Sequence, residues 1–177
     1  MSTKLHLVPY TVKASQHAWK VILDASHKIG GLDIGSAFNS TTKLHKYCRL
    51  VVGEGGVYAV IFPDYESFDE GFYARIHACL SPIGVMSKYN QCVMLDEYVS
   101  EMFDAGFHKL AIEAPKVARL SRYLAEKVGF QLEGIKRGEW PMQKSACDLY
   151  YYGLLRTDPR PWSNEHGKEE KQRTTEG

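Results

Sequence analysis

The stretch YLAEKVGFQLEGIKR, residues 123–137, constrains the fold of this chain more than any other. A helical run stops at Gly129, Phe130 follows at once, and a strand carrying Gly134 begins directly afterwards. A glycine just past a helix takes the left-handed conformation without a Cβ clash, and the next apolar residue can turn back to bury against helix and sheet. Gly129 and Phe130 are therefore a structural device, and the chemistry has to be sought elsewhere.

The rest of the chain supplies the partners for this join. With 177 residues, one domain and one core are expected. The short strand pattern KLHLVPYT comes first. A helix over residues 15–29 follows, carrying Trp19, Ile22 and Leu23 at helical spacing and stopped by Gly30 and Gly31. Residues 31–45 show no clear period, which leaves a loop or a short second helix open. KYCRLVVGEGGVYAVIFP is β-branched and aromatic on both sides of GEGG, which predicts a hairpin. The acidic stretch DYESFDEG then leads, as a loop, into a strand over FYARIHACL, where Phe72, Ala74, Ile76 and Ala78 alternate with Tyr73, Arg75, His77 and Cys79.

From Lys88 to Ala105 the period is helical, with Leu95, Tyr98, Val99, Met102 and Phe103 on one stripe and Gly106 as its cap. HKLAIEA predicts a short buried strand, and Pro115 is expected to open a helix bearing Val117, Leu120, Leu124 and Val128. QLEGIKR and ACDLYYYGLLR are the last strands, separated by an expected polar loop, GEWPMQKSA. Residues 1–162 are assigned to one domain, and the polar tail 163–177 is expected to be disordered. The element order defines a layered α/β (α+β) domain with a mixed sheet and helices on both faces.

Composition narrows function mainly by exclusion. A net charge of +1 gives no general attraction to nucleic acid or membrane, and no stretch approaches the ~20 apolar residues of a membrane span. The four cysteines are scattered, without metal-ligand spacing, so no metal is expected and packed thiols in a cytoplasmic protein are the reading.

In ARLSRYLAEKVGFQLEGIKR the residues Ser121, Glu126, Lys127, Gly129, Phe130, Glu133, Gly134 and Arg137, followed by Asp148, Tyr152 and Leu155, resemble the GCN5-related N-acetyltransferase (GNAT) superfamily. The likeness is nearest to its ribosomal-protein N-terminal acetyltransferase branch and strongest over residues 107–156. Ala118 stands where that branch favours asparagine. The resemblance implies a mostly antiparallel sheet with a central splayed parallel pair, formed here by FYARIHACL and KLAIEA, and acetyl-CoA as co-substrate. It also implies a phosphate loop within SPIGVMSKYN, where Leu80, Val85, Met86, Ser87 and Lys88 are cofactor candidates, with Arg119 and Arg122 on the following helix. The family's glycine signature is absent from that loop, and only Gly84 is present.

Acyl transfer to an amine needs a proton acceptor, and His77 and Glu113 are the candidates. Ser121 matches a family position. The tyrosine that many members place four residues before the helix-ending glycine is Ala125 here. The expected acceptor is an amine on a protein, peptide or small molecule, with a homodimer left open. Two other readings stand beside this one. One is a non-catalytic GNAT-fold binding or structural protein, such as a virus-encoded one, and the other is a nucleobase-modifying acyltransferase, for which no basic cluster speaks.

Overall fold

Alternation of apolar and polar residues from Arg49 onward builds the strands, and turns rich in glycine separate them. The computed structural model describes residues 5–10, 44–69, 71–80, 86–142 and 144–162. The predicted helix over 15–29 and the tail 163–177 lie outside these residues. The strands are β1 (His6–Pro9), β2 (Arg49–Gly53), β3 (Gly56–Asp69), β4 (Tyr73–Leu80), β5 (Lys109–Pro115), β6 (Gln131–Met142) and β7 (Ser145–Leu155). They form one sheet in the order β1-β2-β3-β4-β5-β7-β6, in which only β4 and β5 run parallel. Among the described residues the α-helices are α1 (Lys88–Asp104) and α2 (Arg119–Val128).

The GEGG hairpin forms as expected, with Gly53 paired to Gly56 and Gly56 at φ 114°. Three boundaries differ from expectation. The acidic stretch is strand rather than loop, because β3 continues to Asp69 and a register shift between Pro63 and Phe68 absorbs the irregularity. Pro115 ends β5 instead of opening the helix, which starts at Arg119. GEWPMQKSA is largely strand too: β6 runs to Met142 and pairs with β7 down to Met142↔Ser145. An edge strand tolerates Pro141, and the shift between Lys136 and Trp140 accommodates Gly138 at φ 64°.

Both described helices pack on one face of the sheet. Ile61, Ile76, Leu110, Tyr152 and Leu154 from the strands meet Met94, Tyr98, Val99 and Met102 of α1 and Ala125 and Val128 of α2. The buried Tyr98 hydroxyl donates to Tyr47 O at 3.0 Å, so its polar atom is satisfied. On the opposite face a smaller cluster joins Cys48, Leu50, Val60, Phe62 and Cys79. Burial pushes the Cys48 and Cys79 thiols up to about 12, which makes them inert packing groups.

The chain closes with a strap over the helices. Arg160 pairs with Asp96 of α1 and donates to Asp96 O and Ser100 Oγ, both at 2.8 Å. Trp162 lies against Tyr89 at the start of α1, with ring centroids 5.5 Å apart. The strap also explains Gly129. Its φ is 112°, and a Cβ added there would meet Pro159 O at 3.0 Å. Phe130 N–H donates to Ala125 O at 2.9 Å and Gly129 N–H to Glu126 O at 3.2 Å, a Schellman cap.

Candidate active site

The parallel pair is where the sheet opens. The β4–β5 ladder holds three rungs, Tyr73↔Lys109, Ala74↔Leu110 and Arg75↔Ala111, and extends no further. Yet β4 continues to Leu80 alongside β3, and β5 to Pro115 alongside β7. Each strand thus stays anchored on its outer side while the inner edges part.

The period of two places Arg75 and His77 of β4 and Glu113 of β5 on the face away from the helices. Arg75 Nη1 is paired with Glu113 Oε1, and their side chains are 19% and 14% exposed. Were the register continued, Glu113 would stand across from His77. The His77 ring also lies 5.7 Å from the Phe62 ring of β3, centroid to centroid. Two of the sequence candidates therefore lie on the two strands that border one opening, and sequence reasoning had given Arg75 no role. The signal was present in the alternation of FYARIHACL, but the pair depends on a register between residues 38 positions apart.

A second ion pair lies on the same face. Glu133 of β6 reaches over β7 to Lys109 of β5, with Nζ–O distances of 2.7 and 2.8 Å. Gly153 makes this crossing possible, because a Cβ there would sit 2.2 Å from Glu133 Oε1. Tyr73 lies among these charges. Its phenol is raised above its ordinary value mainly by burial, with Arg75 opposing.

At the open end the chain turns into α1. Ser87 is the N-cap and its Oγ accepts from Asn90 N–H at 3.1 Å. The side chains near the missing glycines are drawn elsewhere: Met86 into the core, Lys88 over the Tyr123 ring, Tyr89 against Trp162. Gln91 donates through Nε2 to Met86 O at 2.9 Å, while its Oε1 is buried with no hydrogen-bond partner. Gln91 is the one buried polar residue among the described residues and was not singled out from the sequence. Val85 lies outside the described residues, and Leu80 ends β4 at 36% exposure.

The α2 candidates are more dispersed. Ser121 and Arg119 are exposed on that helix. Arg122 covers the Tyr150 ring at 4.7 Å and donates to Lys116 O, leaving its buried Nε without a partner. Ala125 is fully buried, and the nearby phenol is that of Tyr152, which donates to Glu126 Oε1 at 2.9 Å. Burial first and Glu126 second push the Tyr152 hydroxyl up to about 12. Asp148 accepts from Gly138 N–H at 3.2 Å and from Lys116, tying the β6–β7 hairpin to the end of β5.

A mixed seven-stranded sheet whose single parallel pair opens toward the start of a helix has the fold of the GCN5-related N-acetyltransferases. Solved structures bear this out. The ribosomal-protein-S18-alanine N-acetyltransferase from Escherichia coli is similar with a TM-score of 0.70 at 14% identity, covering 89% of this chain and 97% of its own. RimJ from Mycobacterium smegmatis, in complex with CoA-disulfide, gives 0.65 at 13% identity over 86% and 82%. A GNAT-family acetyltransferase from Bacillus anthracis gives 0.60 at 17% identity over 87% and 96%. No family profile matches the chain, and no curated protein matches its sequence.

Proposed function

We propose that this chain transfers an acetyl group from acetyl-CoA to an amine on a protein, peptide or small molecule. The observation that carries the reading is the end of the β4–β5 ladder beside the N-terminus of α1. Inner strand edges that stop pairing with each other offer amides and carbonyls to an extended, amide-bearing arm. A helix start offers N–H groups and a favourable dipole to phosphate. The orphaned Gln91 Oε1 fits the same occupant, since a buried acceptor needs a donor and an amide N–H supplies one. Glycine is not required for this, because Met86, Lys88 and Tyr89 already direct their side chains to other partners.

Acetyl-CoA, when bound, supplies an activated acyl carbonyl and a thiolate leaving group. The residues of this chain do the rest. The backbone at Ser87 and Lys88, where α1 starts, would hold the phosphates, and exposed Arg119 would add positive charge. The helix face is closed by Ile76, Leu110 and Ala114, so the amine approaches from the face that carries His77. His77 takes the proton that the acceptor ammonium releases, because Glu113 is already held by Arg75. The comparisons favour neither the non-catalytic reading nor a nucleobase acceptor.

Titration with acetyl-CoA tests this directly. At a hundred times the dissociation constant, a ligand selective for the folded chain stabilises it by about 2.7 kcal/mol. The expected result is a rise in Tm of roughly 5–10 °C. No rise at millimolar acetyl-CoA rejects the reading.

A further inference from the structure

The opening between β4 and β5 has a floor, and on one side that floor is ionic. If the phosphates sit at the start of α1, beyond Leu80, an extended arm runs back along β4 toward its paired end. Ile76 stands four positions back from Leu80, about 13 Å at strand rise. There the ladder closes, at Arg75↔Ala111. On the helix face that level is filled by Ile76 and Leu110, 3% and 0% exposed. On the other face it is filled by the Arg75–Glu113 pair, whose guanidinium spans from the last rung of β4 to β5 two residues further on. Below the pair, Lys109 and Glu133 continue the polar row.

The geometry points to Arg75 and Glu113 as specificity-determining residues that stop the acyl chain and confine the donor to short acyl groups. This rests on the acyl-transfer reading. Two physical effects act together. The paired side chains occupy the volume that added methylenes would need, and they present charge rather than apolar surface to an alkyl chain. The stop is also stiff, because withdrawing either partner leaves a largely buried charge uncompensated.

The test compares dissociation constants of acetyl-CoA and hexanoyl-CoA by calorimetry on the full chain, which requires no knowledge of the acceptor. The natural chain is expected to bind acetyl-CoA more tightly. R75A/E113A, which removes both charges at once, is expected to shift the ratio toward hexanoyl-CoA by about tenfold or more. Glu113→Asp keeps the charge but withdraws the carboxylate by one methylene, and should shift the ratio of propionyl-CoA to acetyl-CoA in the same direction even if the double variant fails to fold. A merely structural role would weaken all thioesters equally, so unchanged ratios overturn the stop alone. Failure of the natural chain to bind any of these thioesters overturns the stop and the acyl-transfer reading together.

Discussion

Both described helices end in the same way, and their surroundings differ. Gly106-Phe107 leads from α1 into β5, and Gly129-Phe130 leads from α2 into β6. Each glycine has a left-handed backbone, at φ 105° and 112°. Each phenylalanine N–H reaches back five residues, Phe107 to Met102 O at 3.2 Å and Phe130 to Ala125 O at 2.9 Å. Yet a Cβ at Gly106 would meet nothing within 4 Å, whereas one at Gly129 would press on the strap at Pro159 and Arg160. The first glycine answers to its own backbone angle. The second answers to its angle and to a neighbouring chain segment, so one cap motif carries two different structural loads.

That difference can be probed by urea denaturation. The largest effect is expected from the aromatics, where the joins are alike: Phe107→Ala and Phe130→Ala should each cost about 3–5 kcal/mol. Phe107 should lie at the upper end, since it also packs edge-on against Tyr47 at 5.2 Å. A loss below about 1 kcal/mol at either would show that the join does not anchor its helix. Gly129→Ala comes next, at about 2–4 kcal/mol, combining left-handed strain with overpacking against Pro159. Gly106→Ala should cost the least, about 1–2 kcal/mol, because only the strain remains. Equal losses at the two glycines would remove the distinction drawn between them.

Features that depend on local chemistry were legible in the sequence. The α1 stripe gave a helix from Lys88 that ends within one residue of the expected Ala105, and both capping glycines were visible. GEGG announced its hairpin for the same reason. Errors arose where tertiary context overrode a breaker. Pro141 and Gly138 suggested a loop, but an edge strand has room for a proline and its register shift for a turned glycine. Pro115 suggested a helix start, yet it continues β5 opposite Leu149.

The site was legible only in its location. His77 and Glu113 were recognisable as ionisable groups on two predicted strands, and the family resemblance implied an opening between those strands. Arg75 gained its partner from a parallel register that no short motif encodes. Gln91 was hidden because glutamine in a helix is ordinarily a surface residue, and only burial exposes its unanswered oxygen. Glu133 was visible as part of a motif, but its reach to Lys109 requires Gly153 on the strand between them.

The sheet order has a consequence for how the chain is made. Among the described strands β6 borders only β7, and β7 is inserted between β5 and β6 although it is the last of them to be synthesised. Until residues 145–155 have emerged, β5 has one open edge and β6 has no partner in the sheet. The Arg160 strap that fastens α1 comes later still. A growing chain therefore carries exposed strand edges, the kind of surface that chaperones cover and that aggregates recruit, between the synthesis of β5 and that of β7. Completion is abrupt: one strand joins both halves of the C-terminal sheet, and a premature stop before it leaves a chain that cannot close.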